Sequence, residues 1–135
     1  YAAAARLMVN GRNKGASYER EIATMLFGEL GIKFKRDLEQ YRAGAHADLI
    51  ADDPDFPFTL ELKRYKDGPI GGAPAWWSQV EVAAKREGKI PCLIYKYDRK
   101  QNRCVMPLSA VMDGGQGLIE TDFETFCFIA REKLG

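Results

Sequence analysis

Phe58-Thr-Leu-Glu-Leu-Lys63 alternates apolar and polar residues without a break. A period of two is the mark of a β-strand with one face buried, so Phe58, Leu60 and Leu62 are expected on one side and Thr59, Glu61 and Lys63 on the other. A second short strand, Ala47-Asp-Leu-Ile-Ala51, stands just upstream and is closed by the turn-forming run Asp52-Asp-Pro-Asp55. If these strands pair, Asp48 at the start of the first is carried towards Glu61 and Lys63 on the second.

Two carboxylates brought that close repel each other unless a cation lies between them, which makes Asp48 and Glu61 candidate ligands for Mg²⁺, with Mn²⁺ as a substitute. The backbone carbonyl of Leu62 is placed to add a third oxygen. Lys63 would then stand beside the ion, where an ammonium can orient a water molecule, help lower its pKa and offset phosphate charge. The same residues would equally be found on the solvated face of an ordinary sheet, so the pattern does not decide by itself.

Outward from this centre, Ile22, Met25, Leu26 and Leu30 recur at helical spacing from Ser17 onward, with Gly31 as the stop. Asn10 to Ala16 reads as a polar lead-in, which puts Glu19 and Glu21 in the first turn, where the helix dipole favours anions. Ile32 to Arg36 is a short alternating strand and Asp37 to His46 a polar loop. Asp67 to Pro74, with three glycines and two prolines, reads as a flexible connection to a helix from about Ala75 to Glu87. That helix has Trp76, Val80, Ala83 and Ala84 on its buried stripe and Gly88 as its stop. Strands follow at Ile90 to Tyr97 and Arg103 to Met106. The last helix opens on a capping box, Thr121-x-x-Glu124, and buries Phe123, Phe126, Cys127, Ala130 and Leu134. Helix, three strands, helix, two strands, helix is the order of an α/β sandwich with helices flanking a central mixed sheet.

The chain has 135 residues, 46% hydrophobic and 29% charged, which suits one folded domain, expected over residues 8–135 with residues 1–7 as a leader outside the fold. No apolar run approaches the roughly 20 residues of a membrane span, so no membrane partner is expected. Cys92, Cys104 and Cys127 lack any paired spacing and are expected as reduced core residues of an intracellular protein. The net charge is only +1, but residues 37–60 carry six acidic residues against one basic, while residues 1–36 and 85–103 each carry seven basic residues. An acidic block between basic ones suits a metal site facing a polyanion, and it is also within ordinary surface variation.

A second segment, Lys14-Gly-Ala-Ser-Tyr-Glu-Arg-Glu21, joins Arg36, Asp48 and Glu61-x-Lys63 in a combined pattern. From about Asn13 to Tyr97 this pattern resembles the archaeal-type Holliday junction resolvases of the PD-(D/E)xK nuclease superfamily. The superfamily's nominal proline before the first acid is replaced here by Ala47. The resemblance implies a restriction-endonuclease-like core in which Glu19 approaches the metal from the first helix, Asp48 and Glu61 are the main ligands, and Lys63 is the catalytic lysine. It places Arg20 and Arg36 on phosphates near the scissile bond, with Arg42 replacing or supplementing Arg36. Arg12, Lys14, Arg64 and Lys66 join them as expected nucleic-acid contacts. Gln79 is similar to a glutamine that follows the lysine motif in related nucleases.

The activity implied is Mg²⁺-dependent cleavage of phosphodiesters in branched DNA, above all four-way junctions. One domain of this size offers one active site, whereas a four-way junction needs two symmetric cuts, so a two-fold homodimer is expected. Two alternatives share the same residues: another nuclease of the superfamily acting on flaps, ends or duplex, and a non-catalytic DNA-binding module on the same fold. Trp76 and Trp77, adjacent on a helix, point about 100° apart, so one is expected in the core and the other at a subunit interface or on a base, while His46 reads as a loop residue or a DNA contact.

Overall fold

Leu60, fully buried on the middle strand of the sheet, is where the alternation of Phe58 to Lys63 becomes three-dimensional. In this computed structural model residues 2–38 and 47–135 are described, and over residues 2–14 the backbone alone. The elements in chain order are α1 (Ala2–Leu30), β1 (Phe34–Arg36), β2 (Leu49–Ala51), β3 (Phe58–Tyr65), α2 (Pro74–Glu87), β4 (Ile90–Tyr97), β5 (Arg103–Pro107), a short 3-10 turn (Leu108–Ala110), β6 (Leu118–Asp122) and α3 (Phe123–Leu134).

The strands form one sheet in sequential order, β1-β2-β3-β4-β5-β6. Only β3 and β4 are parallel, in register from Phe58 opposite Ile90 to Tyr65 opposite Tyr97; the other neighbours are antiparallel. A parallel pair needs a crossover, and α2 supplies it. The sheet is therefore mixed, with helices on both faces, as expected.

The larger core lies on one face, where Phe58, Leu60 and Leu62 meet Tyr18, Ile22 and Leu26 of α1 and Phe123, Phe126, Cys127 and Ala130 of α3. Burying each of these large apolar side chains contributes about 1.5–3 kcal/mol. On the opposite face Val80 of α2 packs on Leu93, Tyr95 and Val105, with Trp76, Trp77 and Tyr97 half-buried around them. All three cysteines are free thiols and buried. Among the described residues no helix is long and apolar enough to cross a membrane.

Four expectations change. The first helix does not begin at Ser17 but runs through Asn10–Ala16 from Ala2, a stretch rich in alanine and other strong helix formers. Glu19 and Glu21 consequently sit deep inside a 29-residue helix, and a first-turn dipole does not explain them. A sixth strand, Leu118–Asp122, pairs along β5 at the sheet edge; its half-exposed side chains and the glycines before it hide the alternation. The last helix is capped by Asp122, whose Oδ1 accepts from the Thr125 N–H at 2.7 Å, because Thr121 is still in the strand. Arg42 and His46 lie outside the described residues, as do the side chains of Arg12 and Lys14.

Candidate active site

The strands β2 and β3 stay in ladder register only at Leu49 opposite Leu60. The Asp48 N–H still donates to the Leu60 carbonyl at 2.9 Å, and beyond that the chains part. The next donor on β3, the N–H of Leu62, would lose its partner there. It is taken instead by the Asp48 side chain, with Oδ2 accepting at 2.6 Å. Asp48 thus closes the ladder where the backbone opens it. Within a strand the N–H and C=O of one residue point the same way, so the Leu62 carbonyl faces the same gap.

Glu61, next to Leu60 on β3, points to the face away from the larger core, and the Asp48 side chain reaches it there by a hydrogen bond. Both acids are buried, with Asp48 6% and Glu61 8% exposed. Burial pushes the Asp48 carboxyl well above its usual range, and the neighbouring Glu61 charge raises it further, against the opposing Leu62 N–H. Glu61 is raised as well, first by burial, while Lys63 and a hydrogen bond with Asp48 pull the other way. Lys63 is two residues on along the same face, its Nζ 3.4 Å from Glu61 Oε1.

These residues fit a divalent cation. Two buried acids, hydrogen-bonded to each other and with their carboxyls pushed up by burial, make a site that a divalent cation between them would relieve, and a backbone carbonyl adjoins them.

Glu19 stands apart from that pair. It is 6% exposed, and its charge raises both Asp48 and Glu61, but its Oε2 accepts from Arg36 Nε at 2.6 Å. Among the described residues no group of three or more His, Cys, Asp or Glu is assembled as a metal cage. Two acids and a lysine are brought together; the third acid is near and turned to an arginine.

The expected phosphate contacts divide. Arg20 is exposed on α1, and Lys66 is exposed just after β3. Gln79 is exposed on α2. Arg36 is engaged with Glu19, and Arg64 pairs with Asp98 Oδ1 at 2.7 Å while its guanidinium also reaches the Tyr65 carbonyl at 2.6 Å. Arg64 faces the larger core because the alternation continues past Leu62, so its charge is used to close the end of β3 against β4. The same alternation, carried one step beyond Lys63, puts Tyr65 on the face of Glu61 and Lys63 as well, a position the motif Glu61-x-Lys63 does not include.

The pattern of the family described as "Phage putative PDDEXK endonuclease" matches residues 10–131. No curated protein matches the chain. Among solved structures, the chain is similar to Archaeoglobus fulgidus Hjc, a Holliday junction resolvase from an archaeal hyperthermophile, with a TM-score of 0.58 and 17% identity over 87% of this chain and 98% of that one. This likeness shows the restriction-endonuclease-like fold.

Proposed function

Because the chain belongs to this phage PDDEXK endonuclease family, a nuclease family whose members generally use divalent metal ions, we propose that it is a structure-selective endodeoxyribonuclease that cuts four-way DNA junctions with Mg²⁺. The observation that carries the reading is the buried contact of Asp48 with Glu61, with the Lys63 ammonium 3.4 Å from Glu61. A solvated sheet face would leave such acids exposed; here they are desolvated, which is costly and is maintained where a cation or proton is to be held.

In this reading Asp48, Glu61 and the Leu62 carbonyl hold the cation, and Glu19 contributes negative charge from α1. A divalent ion bound there supplies a Lewis acid for the phosphate and a source of hydroxide near neutral pH. Lys63 orients the attacking water and offsets charge that builds on the phosphate. Arg20 and Lys66, both exposed, hold neighbouring phosphates, and shape rather than base sequence is read. Two cuts related by symmetry require a homodimer. Support for the junction itself comes from the shared pattern of Lys14 to Glu21, Arg36, Asp48, Glu61 and Lys63 and from the fold likeness to Hjc.

The test is cleavage of a labelled four-way junction in Mg²⁺ beside a flap and a linear duplex. Asp48→Asn and Lys63→Ala should each lower the rate about a thousandfold or more while junction binding persists. Cutting that survives either substitution, or that is equal on linear duplex, would overturn the proposal.

A further inference from the structure

Past Lys63 the same face of β3 ends at Tyr65, and aromatic side chains gather around it. The Tyr65 ring stacks on Trp76 of α2, with centroids 4.9 Å apart and planes 19° from parallel. Behind this pair Trp76 lies 6.3 Å from both Tyr95 and Tyr97. The parallel register sets Tyr95 beside Lys63 and Tyr97 beside Tyr65.

The glycine-rich connection from Asp67 to Ala73, expected to be flexible, is fastened to this cluster. Gly71 N–H donates to Tyr95 Oη at 3.0 Å, Tyr95 Oη donates to Glu120 Oε1 at 2.6 Å, and Tyr97 Oη donates to the Pro69 carbonyl at 2.7 Å. Gly72, at φ +82°, lies so close that a Cβ there would stand 3.0 Å from Trp76 and 3.1 Å from Leu93. Trp76 is thus held from behind by the loop, the sheet and its own helix.

The front is open. Tyr65 is 46% exposed and Ile70, on the loop that follows β3, 97%. The surroundings are basic: Lys63 precedes Tyr65 on its face, Lys66 follows it, and the exposed Arg99 and Lys100 form a hairpin tip tied back by the Asp98 N–H to the Lys66 carbonyl at 3.1 Å. Of the nearby acids, Asp98 is paired with Arg64 and Glu120 with Arg103, and Asp67 is exposed. A half-exposed ring already stacked on one side, within a basic surface, is the arrangement on which proteins stack the bases of single-stranded nucleic acid. Two residues of strand advance about 7 Å, so Tyr65 is next to Lys63 along the path of a substrate.

We propose that Tyr65, backed by Trp76, is a stacking platform for an unpaired base of the DNA substrate adjoining the phosphate that is cut. The proposal rests on the nuclease reading of Asp48, Glu61 and Lys63 and deepens it. In continuous duplex every base already has stacked neighbours, so a free aromatic face offers little. At a branch point or fork an unstacked base gains a partner, and the platform favours branched DNA without reading its sequence.

The test is binding, measured by fluorescence anisotropy in chelator, to a forked duplex with unpaired arms and to a fully paired duplex of equal length. Wild type should prefer the fork. Tyr65→Ala should weaken fork binding about tenfold and duplex binding less than about twofold. Tyr65→Leu, which keeps an apolar cover on Trp76 but cannot stack, should behave like Tyr65→Ala, and Tyr65→Trp like wild type; thermal melts of each confirm folding. Equal losses on both DNAs, no loss on the fork, or a wild type indifferent to the fork would overturn the platform. Cleavage in Mg²⁺ by wild type and by Asp48→Asn is run in parallel. Intact cutting with no Tyr65 effect removes the platform alone, while a Tyr65 effect without cutting removes the nuclease reading.

Discussion

Strand β3 has two faces that obey opposite rules. On one, Phe58, Leu60 and Leu62 are buried among apolar partners from α1 and α3, and each contributes to stability. On the other, Thr59 and Glu61 are buried as deeply but are polar: Thr59 donates to Glu87, and Glu61 is pressed against Asp48. The first face is a core and the second holds charges at a cost in folding free energy. Alternate residues of one strand can therefore differ in the sign of their effect on stability.

The largest effect expected on stability is on the apolar face. Leu60→Ala should destabilise the protein by about 2–5 kcal/mol, seen as a lower midpoint in urea with little change in slope. A loss below about 1 kcal/mol would mean that the site collapses around the cavity and that the two faces are less distinct than described.

A smaller effect of opposite sign is expected across the strand. Asp48 and Glu61 have carboxyls raised in the folded protein, so between their unfolded values near pH 4 and their folded ones the native state binds more protons than the unfolded chain. Their contribution is most favourable below that window and declines as pH rises through it. In chelator, Asp48→Asn should raise the melting temperature by a few degrees relative to wild type, with a gap that widens from pH 5 to pH 8. Added Mg²⁺ should narrow the gap by stabilising wild type alone. A gap that shrinks with rising pH would contradict the assignment of the strain to these acids.

The smallest effect separates buried charge from surface charge. Arg131 and Glu29 pair at 3.2 Å between α3 and α1, each almost half exposed. Arg131→Ala should cost less than about 1 kcal/mol, and high salt should erase the difference. A salt-insensitive loss would show that the hydrogen bond from Arg131 to the Glu29 carbonyl matters more than the ion pair.

Much of the fold was legible because it rests on periodicity. Leu26 and Leu30, Phe58 to Lys63 and Phe126 to Ala130 announce helix, strand and helix through spacing alone, and Gly31 and Gly88, both at positive φ, mark the stops. Leu118–Asp122 was not legible, since an edge strand is half-wet and its pattern is weak. The extent of α1 was missed because polar residues and two glycines outweighed the helix propensity around them.

The candidate site divides in the same way. Spacing and alternation by themselves determined that Glu61 and Lys63 share a face and that Asp48 begins the preceding strand, because strand geometry fixes side-chain direction locally. Only the tertiary structure decided that β2 parts from β3 at Asp48, that Glu19 and Arg36 face each other, that Arg64 closes on Asp98, and that Tyr65 finds Trp76. Those pairings join residues distant in sequence, and no local period carries their register.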